Sequence, residues 1–136
     1  MRRAALALAA CLAASAAASH DMYSEVRRNN VPTGILCCGG DPMTGDCEGI
    51  EADMIRETPT SVIFYSKRYQ GSVEIPRSQV HMDVPRVAAT GKPADPEGRF
   101  AGHWCGTRRG PHQPITAEDP DPLFHTICAF LNPGGV

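Results

Sequence analysis

The sequence predicts a mainly β, small α+β domain: a disulfide-stapled β-meander or small barrel preceded by a short N-terminal helical turn. Three observations predict it. Short runs of β-branched and aromatic residues recur beyond residue 54, divided by Pro, Gly and Asn turns. Five of the six cysteines lie beyond the first 19 residues, in a chain small enough to need staples. The opening segment reads as a secretory signal, which would carry those cysteines into an oxidising compartment.

Met1-Arg2-Arg3 gives that segment a positive start, and Ala4 to Ala14 forms its apolar run. A membrane span needs about 20 apolar residues, so this run is too short to be one, and no later stretch is apolar enough. The small residues Ser15 to Ser19 precede the polar His20-Asp21-Met22-Tyr23-Ser24-Glu25, so cleavage is expected after Ala17, Ala18 or Ser19. Residues 1–19 are then a signal peptide, and 20–136 a single disulfide-stapled domain of about 117 residues, periplasmic or secreted. Leu8-Ala9-Ala10-Cys11 has the form of a lipid-attachment box. The apolar run continues past Cys11 to Ala14, which weighs against a lipid anchor there.

Along the domain, residues 21–28 are expected to form a helical turn with Asp21 as its cap. Residues 29–49 are rich in Gly, Pro, Asn and Asp and read as an irregular loop fastened by cysteines. Strands are expected at 54–57, 61–65 and 72–75, with turns at Pro59-Thr60 and Gln70-Gly71, which makes a meander. Further strands are expected at 99–105 and 125–131. Residues 83–98 and 106–122 are long loops rich in Pro, Gly and charge, and the tail from Asn132 should fray.

Charge and cysteine count bound the function. The whole chain has 13 basic and 15 acidic residues; without Arg2 and Arg3 the basic count is 11 and the net charge −4. No basic stripe with interleaved aromatics is present, so a nucleic-acid partner is not expected. Arg27-Arg28 and Arg108-Arg109 read as solvated loop pairs. Five mature cysteines make two bridges and one leftover thiol, and the sequence does not choose among the pairings. The expected bridges join Cys105 to Cys128, both in strand segments, and Cys38 to Cys47 across a Gly-rich loop. Cys37 is then the free thiol, since a bridge between the adjacent Cys37 and Cys38 would close a strained ring.

A series of short motifs runs through the mature chain: His20-Asp21 with Tyr23, Cys37-Cys38, Asp46-Cys47, Arg99-Phe100 with His103-Trp104-Cys105, and Cys128-Ala129-Phe130-Leu131 with Pro133. In these the chain resembles a group of short exported proteobacterial proteins that begin His-acidic-aromatic-Tyr and carry a Cys-Cys pair, an Asp-Cys and a late His-x-Cys. It has Met22 at the aromatic position and Ala101-Gly102 between Phe100 and His103. The resemblance implies an exported five-cysteine domain and pairs His103 with the N-terminal motif. It lends no activity.

The candidate chemistry centres on His20. A histidine at or near a mature N-terminus offers its α-amine and a ring nitrogen to one ion, and a second histidine would complete a nitrogen-rich site that suits Cu(II). If cleavage leaves Ala18-Ser19-His20, the amine, two backbone nitrogens and the ring give a square-planar set for Cu(II) or Ni(II). His103, two residues from Cys105 and on the same strand face, is the expected partner; His81, His112 and His125 are further candidates. Met22, Met43 and Met82 are soft donors more often used in packing. Copper is thus the one cofactor expected. Among enzyme signatures, neither Cys-x-x-Cys, a serine elbow, a phosphate loop nor a zinc-protease helix occurs, and catalysis is not expected. A thiol-exchange role for Cys37 with Cys38 is the remaining chemical reading. Asp119 and Asp121 read as solvated acids of a Pro-rich loop. The other class of function is a binding or structural module that presents 83–98 and 106–122 to an envelope protein or polymer.

Overall fold

The computed structural model describes Cys37, residues 47–86 and residues 90–134. Six strands follow in order: β1 (Cys47–Ile50), β2 (Ile55–Glu57), β3 (Ser61–Ser66), β4 (Gly71–Pro76), β5 (Gly102–Arg108) and β6 (Phe124–Leu131). Single 3-10 turns lie at Ala52–Met54 and Arg77–Gln79. They make two antiparallel sheets, ordered β1-β5-β6 and β2-β3-β4. The second sheet is the expected meander, and the mainly β class holds; neither sheet closes into a barrel. The helical turn expected at 21–28 and the signal peptide lie outside the described residues. No helix of the described residues is long and apolar enough to cross a membrane.

Alternation sets each face. In β3, Val62 and Phe64 are buried while Tyr65 is exposed, and in β4 Val73 and Ile75 are buried while Ser72 and Glu74 are exposed. From the other sheet come Ile50, Trp104, Phe124, Ala129 and Leu131, which join them in one core between the sheets. The close approach of the layers is fixed at Gly102, where a Cβ would lie 2.8 Å from the Phe64 ring and 3.0 Å from Ile55 Cδ1.

The other face of the β1-β5-β6 sheet carries a second, smaller core of Cys37, Cys47, Ala94, Cys105, Cys128 and Phe130. A β-bulge between Cys105 and Gly106 makes both cores possible. Thr126 pairs with Gly106 and Cys128 with Cys105, so Ile127 is the extra residue. Because of it, Phe124 faces the main core and Thr126 accepts the Trp104 Nε1 hydrogen at 3.0 Å, while Cys128 and Phe130 turn to the small core.

The disulfides join Cys37 to Cys128 and Cys47 to Cys105, not Cys105 to Cys128 or Cys38 to Cys47 as expected. The ladder gives the reason. Ala129 O accepts from His81 N and Leu131 N donates to His81 O, each at 2.8 Å, so those two residues point their backbone groups away from β5. By alternation Cys128 directs its own toward Cys105, which makes Cys105 and Cys128 the wide, hydrogen-bonded kind of pair. Cys47 and Cys105 are then the narrow kind, with Cα atoms 3.9 Å apart, and sulfurs meet there more readily. The strand places of Cys105 and Cys128 were legible in the sequence; that of Cys47, and which neighbour is the narrow one, were not. Cys37, expected as a free thiol, is fully buried and bonded.

Candidate functional site: a buried imidazole and a braced loop

His103 stands on β5 between Gly49 of β1 and Phe130 of β6. Gly49 lacks the side chain that would cover the imidazole, and the Phe100 ring takes that space; a Cβ at 49 would collide with it. Phe100 meets the imidazole edge to face at 5.9 Å between centroids. His103 is 0 % exposed. Burial lowers its pKa from 6.5 to about 4, the negative charge of Asp95 opposing only in part. The ring is therefore a neutral imidazole at ordinary pH.

Asp95 is buried as well, its side chain 2 % exposed. Its Oδ2 accepts the Phe100 N–H at 3.1 Å, and its carbonyl accepts from Gly98 at 3.1 Å, with Gly98 at φ 61° closing the turn. That turn delays the start of β5 from the expected residue 99 to Gly102. Oδ1 receives no hydrogen bond and has the Arg99 guanidinium at 3.7 Å. Asp95 was not singled out in the sequence, because Asp-Pro-Glu-Gly reads there as an ordinary turn. The other candidates are scattered. His81 stacks on Phe130 at 5.2 Å, Met82 is half exposed, and His112 lies exposed on a loop. His20, Met22, Cys38 and Met43 lie outside the described residues, and among the described residues no three His, Cys, Asp or Glu side chains gather into a metal-binding group.

The reading of 106–122 as a solvated loop is overturned by Arg109. Its side chain is 5 % exposed, and it donates to the carbonyls of Pro114, Asp119, Asp121 and Phe124 at 2.7–3.0 Å and to Asp119 Oδ2 at 2.7 Å. Its planar fork of donors lets one residue gather so many acceptors. Asp119 also pairs through Oδ2 with His125 Nδ1 at 2.7 Å and accepts from Thr126 N–H at 3.2 Å. Burial works to raise the Asp119 carboxyl, but the bonds from His125, Thr126 and Arg109, with the guanidinium charge, hold it below the usual carboxylate range. Asp121 Oδ1 accepts from Leu123 and Phe124 N–H, while Oδ2 takes the Glu74 N–H on the free edge of β4 at 3.1 Å. The acids are thus fixed braces. Between the loop and the meander lies an open cleft of about 270 Å³, lined on one side by Thr60, Ser61, Glu74 and Pro76 and on the other by Pro120, Asp121 and Pro122.

Compared with protein-family models, curated proteins and solved structures, the chain matches none. What fold and site define is a mainly β domain of two packed antiparallel sheets with two disulfides, the bond chemistry of an oxidising compartment.

Proposed function

We propose that this is an exported protein, akin to the short proteobacterial group its motifs resemble, that binds a transition metal, Cu(II), through His103 and the N-terminal His20. The observation that supports the reading is the buried, neutral imidazole of His103 beside the buried carboxylate of Asp95. A metal binds a histidine nitrogen only where no proton occupies it. Burial keeps the His103 ring neutral, so no proton has to leave it for a metal to bind at neutral pH. A terminal amine titrates near pH 8 and a free histidine near 6.5, so the His20 half of the site sets the pH dependence, with affinity falling below about pH 6. The test uses protein processed to its native amine, a form with one extra N-terminal residue, and His103→Gln. Native protein should bind one Cu(II) at micromolar concentration with a nitrogen-rich EPR spectrum, and both altered forms should bind at least tenfold more weakly. Equal binding by all three would end the two-histidine reading.

A second reading, an exported module that binds an envelope protein or polymer, is favoured by one observation: Arg109 makes the loop over the cleft rigid, and a preformed concave surface loses less entropy on binding than a mobile one.

A further inference from the structure

We propose that Asp121 closes the outer edge of β4 against strand pairing with a second copy of this chain. Sheet edges invite such pairing, because they carry backbone N–H and C=O groups without a ladder partner. Among the described residues the other outer strands are short or engaged. β2 has three residues; on β1, Cys47 O accepts from Arg68 Nη2 at 3.3 Å; on β6, His81 exchanges hydrogen bonds with Ala129 and Leu131. β4 runs for six residues with β3 on one side. The loop beyond it does not cover this edge, since the cleft lies between them, and Asp121 Oδ2 reaches across to the Glu74 N–H at 3.1 Å.

The ladder fixes which groups a second strand would need. Glu74 N–H points away from β3 toward Asp121, and Arg77 N–H points back to Thr60 O, so by alternation Ser72, Glu74 and Pro76 turn their backbone groups outward. Pro76 has no N–H, which spoils the antiparallel register centred on Glu74, where Ser72 faces Pro76 of the other copy. A register centred on Val73 avoids it. Ser72 there exchanges both of its backbone bonds with Glu74 of the second copy, and Glu74 does the same with that copy's Ser72. Each copy must supply its Glu74 N–H, and that is the group Asp121 holds. The carboxylate also stands where the incoming Ser72 carbonyl oxygen has to sit, and the two negative ends repel. Oδ1 fixes it there by accepting from Leu123 at 2.8 Å and Phe124 at 3.0 Å, while Arg109 donates to the Asp121 carbonyl at 2.9 Å.

Asp121→Asn separates the guard from the turn. Its amide oxygen still accepts from Leu123 and Phe124, and its NH2 group, facing the Glu74 N–H, cannot accept. The disulfide-bonded protein and this variant are compared across a concentration series by sedimentation velocity and by amide exchange at Glu74. The parent should stay monomeric. The dilute variant should exchange the Glu74 amide about tenfold faster than the parent; with rising concentration it should dimerise, and that amide should become protected again. Asp121→Ser, whose hydroxyl keeps the local turn but is too short to reach β4, gives the same comparison if the Asn form does not fold. Adding Ser72→Pro to either variant removes the other outward donor and should return it to the monomer. A Glu74 amide that exchanges alike in parent and variant, a parent that dimerises as readily as the variant, a variant monomeric at every concentration, or a dimer that survives Ser72→Pro would each overturn the proposal.

Discussion

At the scale of single residues, His103 ties stability to pH. Its folded pKa of about 4 lies below the 6.5 of an exposed histidine, so between those values the unfolded chain takes up a proton that the folded chain refuses. Stability is therefore complete above about pH 6.5, falls as the pH drops toward 4, and levels off below that, for a total of roughly 3 kcal/mol. Asp119, held below the carboxylate range, adds a loss of the same sign at lower pH, where its carboxylate takes up a proton and the bonds from His125 and Arg109 weaken. Thermal melts of the metal-free protein from pH 7.5 to 4 should show this slope, and His103→Gln should flatten its upper part. A variant as acid-labile as the parent would mean that the proton goes elsewhere. A sequence shows that a histidine is present, not that a glycine on the next strand and a phenylalanine three residues back enclose it.

At the scale of elements, the meander was legible and the loops were not. Val73 and Ile75 alternate with Ser72 and Glu74, which are exposed, and Val62 and Phe64 with the less buried Ile63 and Tyr65, and that period identifies β3 and β4. β1 was missed because Cys47-Glu48-Gly49-Ile50 resembles the glycine-rich stretch before it, and its pairing with β5 joins residues more than 50 apart. The two adjacent arginines of 106–122 read alike in sequence yet differ in the fold. Arg108 lies over the Tyr69 and Phe124 rings at 5.6 and 6.0 Å on the surface, whereas Arg109 is buried in carbonyls. Arg109→Ala leaves Asp119 without its cation and four carbonyls without a donor, and should cost about 3 kcal/mol. Arg108→Ala should cost less than about 1 kcal/mol. Amide exchange in residues 115–124 should accelerate only in the first variant, and binding to envelope polymer, if this loop is the recognition surface, should weaken with it. Equal costs for the two would show that the brace is not Arg109.

At the scale of the whole molecule, both disulfides sit on one face of one sheet and leave the main core between the sheets unstapled. Cys47–Cys105 ties β1 to its neighbour, and Cys37–Cys128 spans 91 residues to hold Cys37 against β6. Each should contribute roughly 2–5 kcal/mol, against a total of about 5–15 kcal/mol for a domain of this size. The two bridges take Cys37, Cys47, Cys105 and Cys128, whereas the sequence reading made Cys37 the unbridged one; under the proposed removal of residues 1–19, Cys38 is the cysteine that these bridges do not use. Alkylation of protein lacking residues 1–19, under denaturing, non-reducing conditions, should label one cysteine per chain, and peptide mapping should place that label on Cys38. Because Cys37 and Cys38 are adjacent, the mapping needs a second arm. Cys38→Ser should leave the melting temperature unchanged and abolish labelling, whereas Cys37→Ser should free Cys128, raise labelling to two and lower stability by roughly 2–5 kcal/mol. The same result with the two variants exchanged would move the bridge to Cys38–Cys128, and labelling of all five would remove the staples, and with them what binds the small core together.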